Sequence, residues 1–242
     1  MKARRDLKML KYWGKLVLME DSRLVKQIYT HCRNKTVGLK TSFCYQIRNL
    51  LISLNLGHLW ISEEIGEYED WVKLAETSVN QLDANLWSLS MQKKTKLRTY
   101  RAIKSVFRQE DYVMWVMPPE HRTIYARIRS GSLQLRIETG RWKKEPKEER
   151  LCQICLTGEV ESEAHFLLHC FAYDRLRVSL FRQIKDSTGY DLNVMRDNNE
   201  WLLDVLIGHG LPSKVVREKI GKAVASFLVV AMRVRQKWMQ VK

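Results

Sequence analysis

The sequence predicts a mainly α-helical protein that carries a small Cys-Cys-His-Cys (CCHC) zinc-binding module. Apolar residues recur every three or four positions through most of the 242 residues, which is the period of helices that bury one face. Strand-like alternation is confined to Leu133, Leu135 and Ile137, too short a run to predict a sheet. Three of the five cysteines fall within nineteen residues together with a histidine, which is typical of a metal site.

The metal motif reads C-x2-C-x9-H-x4-C and consists of Cys152, Cys155, His165 and Cys170. Two thiolates two residues apart can hold one ion from a tight turn, and a histidine and a third cysteine in the next helix can complete a tetrahedron. The alternative is inert buried cysteines, since a single free cysteine is most often core filling. Clustering with a histidine, in a sequence that shows no secretory signal, favours zinc (Zn²⁺) over core filling or a disulfide framework.

The fourth ligand is open between two residues. His169 lies four residues after His165 and shares its face of a regular helix. Cys170 is five residues after His165 and would be rotated from it by about 140° around the axis of a regular helix. The softness of a thiolate favours Cys170, with His169 in reserve. A closed set of four ligands predicts a structural ion, because catalytic zinc keeps one position open. Binding it is expected to supply on the order of 10 kcal/mol of folding free energy to this segment.

An acidic run precedes the helix that carries His165. Glu159, Glu161 and Glu163 could include a general base, but acidic residues at a helix start more often compensate the helix dipole. Ser162 is the expected N-cap of this helix. We therefore interpret the run as helix stabilisation.

The composition predicts a soluble intracellular protein with a substantial core. Apolar residues make up 45% of the chain, which is enough for one large domain or two small ones. Five cysteines without a signal peptide indicate a reducing compartment. The apolar run at 223–232 is only ten residues long, too short to span a bilayer, so a membrane is not an expected partner. A small-molecule substrate is not expected either.

The formal net charge of +15 is distributed in blocks. It is +9 over residues 1–50, −6 over 51–91, +9 over 92–150, −1 over 151–190 and +4 over 191–242. Basic blocks with interleaved Trp, Tyr and Arg favour a phosphate-backbone partner, either RNA or DNA. A basic solvated surface or a membrane-surface patch is the alternative.

We divide the chain into a helical region at 1–91, a basic arm with the zinc module at 92–190, and C-terminal helices at 191–242. In the first region the apolar spacing predicts one or two amphipathic helices over 2–32 and, within segment 39–61, a buried helix that ends near Gly57. Tyr12 and Trp13 could stack on bases, although an aromatic pair on a helical stripe is more often core.

The basic arm holds the candidate nucleic-acid-binding residues. A helix is predicted over 93–117, ended by Pro118 and Pro119, and a second one continues to Gly131. The residues expected to contact phosphates are Arg98, Arg101, Arg127, Arg129, Arg136, Arg141, Lys143 and Lys144.

Three further helices are predicted beyond the metal motif. The first runs to about Lys185, with Arg175, Arg177 and Arg182 directed outward. The other two cover 199–207 and 214–238, and Pro212 and Ser213 suit the start of the second, with Ser213 as its N-cap.

Several segments occur in a recognisable order: RIRSGSLQL at 127–135, TGRW at 139–142, CQIC at 152–155, and ESEAHFLLHC at 161–170 followed by Tyr173 and Arg177. Over about residues 120–185 this order resembles the zinc-binding region downstream of the reverse transcriptase domain in non-LTR retrotransposon polyproteins. YWGKL at 12–16 looks like the stretch that joins polymerase and zinc module in that family. The resemblance implies binding of the element's RNA or its DNA target during target-primed reverse transcription, and it favours the nucleus over the cytoplasm.

No enzymatic activity is expected of this chain. The family's polymerase needs a paired-aspartate motif that holds magnesium, and the sequence contains no Asp-Asp pair. Scattered acids such as Asp191, Asp197 and Asp204 are better explained as helix caps and surface residues than as an endonuclease site. The predicted function is a zinc-stabilised nucleic-acid-binding C-terminal fragment of a reverse transcriptase. The alternatives are a protein-interaction or assembly module that docks a polymerase domain, and a decayed remnant of an element.

Overall fold

The structure, a computed structural model, describes residues 2–35, 40–195, 198–211 and 213–240. Nearly all regular structure there is helical, and Leu151 and Val160 form one antiparallel β-bridge. This confirms the mainly α fold class with a small Cys/His module. Asp197 and Pro212, named above, lie outside the described residues. None of the described helices is long and apolar enough to cross a membrane.

The chain forms two compact units, Met1–Ser90 and Met91–Lys242. The first unit contains α1 (Lys2–Val17), α2 (Leu24–Lys35), α3 (Phe43–Ser53) and α4 (Gly57–Ser62). It also contains most of α5 (Tyr68–Lys93), which continues into the second unit. The second unit contains α6 (Arg98–Ile103), α7 (Pro119–Ser130), α8 (Arg136–Trp142), α9 (Asp174–Thr188), α10 (Asn199–Ile207) and α11 (Lys214–Gln240). Residues 92–190 and 191–242, separated in the sequence-based division, belong to the same unit.

Tryptophan packing fixes the core of the first unit. Trp13 is fully buried, its ring lies 5.2 Å edge-on from that of Trp71, and its indole N–H donates to the Tyr29 hydroxyl. A Cβ at Gly14 would lie 2.3 Å from the Trp71 ring, so the close helix crossing requires glycine there. Trp13 is therefore a core residue, whereas Tyr12 is half exposed.

The long helix α11 is the centre of the second unit. It packs along α7 and α9, and Ser213 caps its first turn by accepting from the Val216 amide. A Cβ at Gly221 would lie 2.1 Å from the Trp115 ring, so α11 can meet this side chain only through glycine.

Two predicted helices are shorter than the sequence suggested. The helix predicted to run from about residue 39 to near Gly57 covers only Phe43–Ser53, and Asn55, with a left-handed φ of 60°, separates it from α4. The helix predicted over 93–117 is reduced to α6, because Lys104 turns inward to pair with Glu110 at 2.8 Å and to bond the carbonyl of Arg108. Helix α7 begins at Pro119, three residues before the predicted start at Arg122, and Gly131 with φ 66° closes it as predicted.

Candidate metal centre

A small turn held by the β-bridge positions the first two cysteines. The Cys152 amide donates to the Glu159 carbonyl at 2.8 Å, which closes the turn across its base. Leu156 and Gly158 both adopt left-handed φ, at 57° and 78°, and so reverse the chain within a few residues. Cys152 and Cys155 consequently lie on the inner side of the turn, and both are buried.

A single π-helical turn, His165–His169, positions the other two ligands. Ser162 caps it as predicted, since its hydroxyl accepts from the His165 amide at 3.1 Å. The Cys170 amide donates to the His165 carbonyl at 2.7 Å, a bond that spans five residues rather than four. Because a π turn is one residue wider than an α-helical turn, Cys170 lies on the same face as His165. Cys170 therefore faces the site, whereas His169 is exposed.

The four side chains converge on one point. One ligand atom from each of Cys152, Cys155, His165 and Cys170 lies within 4.8 Å of all the others, and every one of these residues is buried. The Cys155 Sγ and His165 Nε2 atoms are 3.3 Å apart. The cluster could therefore hold a metal ion. Its fourth member is Cys170 and not His169.

A carboxylate orients the histidine ring. His165 Nδ1 lies 2.7 Å from an Oε atom of Glu159, while Nε2 is directed at the cysteines. With the Nδ1 proton donated to Glu159, Nε2 is left as the atom available to a metal. Glu159 thus has a role that the sequence interpretation, helix dipole compensation, did not include.

Hydrogen bonds within the cluster shift the pKa values of its thiols and of His165. A hydrogen bond between two of the thiols lowers the pKa of Cys152 and raises that of Cys170, because adjacent thiolates cannot all be charged without a cation. Burial acts to lower the pKa of His165, but hydrogen bonds with Cys152 and Glu159 outweigh it and raise the pKa to about 9. A bound cation would displace these protons.

Aromatic rings and one arginine support the π turn from behind. Phe166 and Tyr173 pack edge-on with ring centroids 4.8 Å apart, and both are fully buried. Arg177 donates to the carbonyls of Leu167 and Cys170, each at 2.8 Å. The prediction that Arg177 points outward was wrong, because these end carbonyls would otherwise be buried without a donor.

The remaining two acids of the run hold long-range ion pairs. Glu161 is buried and binds Arg235 of α11 through two parallel bonds of 2.7 and 2.8 Å. Glu161 also accepts from the Arg136 amide at 2.7 Å. Glu163 pairs with Arg98. These carboxylates therefore attach the metal module to the surrounding helices, which their sequence position alone does not indicate.

One of the candidate phosphate contacts, Arg129, is a buried structural residue, and its prediction was wrong. Only 3% of it is exposed. Its guanidinium pairs with Glu110 at 2.5 Å, bonds the Ile207 carbonyl and lies over the rings of Tyr112 and Tyr125. A buried charge needs such partners, and they come from segments far along the chain.

Three more candidates are engaged by carboxylates. Arg136 pairs with Glu145 at 2.5 Å and keeps only 12% of its side chain exposed. Arg141 makes two bonds of 2.8 and 2.9 Å to the buried Glu138, and these lower the pKa of that carboxyl. Arg98 lies 3.9 Å from the same carboxylate in addition to its pair with Glu163.

The other four candidates remain accessible. Arg101, Arg127, Lys143 and Lys144 are exposed, and none has a carboxylate partner in the part of the chain that the structure describes. Arg101 donates to the Gln92 carbonyl at 3.1 Å. These residues keep their charge available to an external anion.

Comparisons with protein-family models, with curated proteins and with solved structures give no match. The resemblance over residues 120–185 therefore depends on the order of the motifs. Of the residues that carry it, Tyr173 and Arg177 both pack against the π turn that holds His165 and Cys170.

Proposed function

We propose that the ion is zinc and that its role is structural. Three soft thiolates and one imidazole are a preferred zinc donor set. A zinc tetrahedron with Zn–S bonds of about 2.3 Å and a Zn–N bond of about 2.0 Å has edges of roughly 3.5 to 3.8 Å. The 3.3 Å separation of Cys155 and His165, within a cluster no wider than 4.8 Å, needs only small shifts to reach this geometry.

We further propose that the chain is a zinc-stabilised nucleic-acid-binding C-terminal fragment of a non-LTR retrotransposon reverse transcriptase. The observation that carries this proposal is the convergence of the four ligands of the motif, beside a segment of net charge +9. Arg127, Lys143 and Lys144 supply cations that no carboxylate in the described chain neutralises. Phosphate contacts of this kind give affinity without requiring sequence recognition.

One observation favours the alternative, a module that docks a polymerase domain. Arg98, Arg129, Arg136 and Arg141 are committed to carboxylates of the chain itself, so half of the expected phosphate contacts are occupied. A protein partner would not require them to be free.

Salt dependence of binding separates the two functions. We expect binding of the full chain to labelled single-stranded RNA or duplex DNA to weaken steeply as salt rises. Each neutralised phosphate contributes roughly −0.9 to the log-log slope on duplex and about −0.7 on single strands. Reversal of Arg127, Lys143 and Lys144 to glutamate is expected to make the slope shallower by roughly 2 to 3, measured by fluorescence anisotropy.

The matched control reverses Arg175, Arg182 and Lys237, which are also exposed and belong to the second unit. It changes the net charge equally and is expected to retain most of the slope. If both variants lose the same amount of slope, binding depends only on the net charge of the chain. An unchanged affinity in the first variant would contradict the proposed contacts.

A further inference from the structure

The apolar face of α2 is left exposed by the described residues of its unit. The sequence places Leu24, Val25 and Ile28 on a helical stripe, and such stripes normally pack into a core. In the structure these residues are 69%, 46% and 54% exposed. Tyr12 on the neighbouring α1 is 50% exposed. A cluster of large apolar side chains of this kind indicates an interaction site.

Three of these side chains, Tyr12, Val25 and Ile28, line a groove of about 270 Å³ between α1, α2 and the start of α3. Leu16, Tyr29, Cys32 and Phe43 also line it. The rings of Tyr12 and Phe43 meet edge-on, 5.6 Å apart, and join α1 to α3 along one wall. The Tyr29 hydroxyl is already bonded to Trp13 and Glu63, so it offers nothing to a polar ligand.

The helices around the groove carry a large excess of positive charge. Residues 1–50 have a net charge of +9, with Asp6, Glu20 and Asp21 as their acids. Lys8 lies one turn before Tyr12, and Lys35 lies one turn after Cys32. Both lysines are exposed, and neither has a carboxylate partner within the described ranges. The groove therefore combines an apolar floor with exposed lysines one helical turn beyond its lining residues on α1 and α2.

We propose that this groove binds an amphipathic helix of a protein partner whose polar face is acidic. Apolar side chains at positions i, i+3, i+4 and i+7 would enter the groove, as in other helix-in-groove complexes. Acidic side chains beside them would face Lys8 and Lys35. The 12 residues of α2 span about 18 Å, which matches roughly three turns of a bound helix.

The shape and chemistry of the groove argue against other partners. A bilayer is flat on this scale and would contact the rim rather than the floor between three helices. Nucleic acid needs cations and hydrogen-bonding groups at the contact, whereas the floor is almost entirely apolar. This site lies in the first unit and does not depend on the function proposed for the second.

Binding of a designed peptide to the full chain tests the proposal. The probe is a fluorescein-labelled helix of about 18 residues with Leu and Phe on one face and Glu on the other, and its control carries Lys in place of Glu. We expect the acidic peptide to bind at least tenfold more tightly than the basic one. Ile28→Asp should weaken the acidic peptide at least tenfold, whereas Ile61→Asp, at a residue 79% exposed on α4, should change it less than twofold.

Other outcomes overturn the proposal. The absence of acidic-peptide binding, or equal binding by the Ile28→Asp chain, would remove the acidic helix as the occupant. Self-association in sedimentation velocity that Ile28→Asp abolishes would assign the groove to a second copy of the chain. Phosphatidylserine vesicle binding that Ile28→Asp abolishes, without peptide binding, would assign it to a membrane.

Discussion

Replacement of Cys155 by serine is expected to abolish metal binding and to unfold most of the second unit. Its thiolate is one of four converging ligands, and a structural zinc ion of this type supplies on the order of 10 kcal/mol of folding free energy. A domain's whole stability is typically about 5–15 kcal/mol, so the loss is comparable with the total. Metal content of the purified variant and its circular dichroism melting curve measure the two effects.

The matched control for Cys155→Ser is His169→Ala. His169 lies in the π turn that carries His165, but it is exposed and outside the ligand cluster. This variant should bind one ion per chain and melt within a few degrees of the wild type. If His169→Ala loses the ion while Cys170→Ser keeps it, the assignment of the fourth ligand is wrong.

Replacement of Arg235 by methionine is expected to destabilise the metal-loaded protein by about 3–5 kcal/mol, because it leaves Glu161 as a buried charge without its partner. Glu161 is only 1% exposed and bonds Arg235 at 2.7 and 2.8 Å. Urea denaturation followed by tryptophan fluorescence gives the free energy of unfolding. The change is large because α11 and the metal module meet at this pair.

Arg233 on the same helix provides the comparison for Arg235. It pairs with Glu120 at 3.1 Å, but the two side chains are 64% and 59% exposed. Arg233→Met should therefore cost at most about 1 kcal/mol. The double variant Glu161→Leu with Arg235→Met should recover much of the loss, since apolar replacements of buried pairs are often neutral. Equal costs for Arg233→Met and Arg235→Met would contradict this account.

The metal ligands could be predicted from the sequence because their spacing reports local chemistry. The C-x2-C spacing places Cys152 and Cys155 on one turn, and the histidine and cysteine that follow it in the motif are His165 and Cys170. The choice between His169 and Cys170 could be made only on thiolate softness. Regular helical geometry favoured the histidine, because the apolar spacing of this segment does not distinguish a π turn from an α-helical turn.

The roles of the arginines could not be predicted, because their partners are distant in sequence. Arg129 and Glu110 are nineteen residues apart, and Glu161 and Arg235 are separated by seventy-four. Helical periodicity shows on which side of a helix a residue lies, but it does not show which segment covers that side. Charge in the sequence was therefore interpreted as surface where the fold uses it for internal pairing, and the amphipathic spacing of α2 did not show that its apolar stripe is exposed.

Zinc K-edge X-ray absorption of the purified full chain, combined with metal analysis, tests the central claim directly. The account predicts about one zinc per chain, with three sulfur neighbours at about 2.3 Å and one nitrogen at about 2.0 Å. A shell dominated by oxygen, a coordination sphere with two sulfurs, or a folded protein that contains no zinc would contradict it.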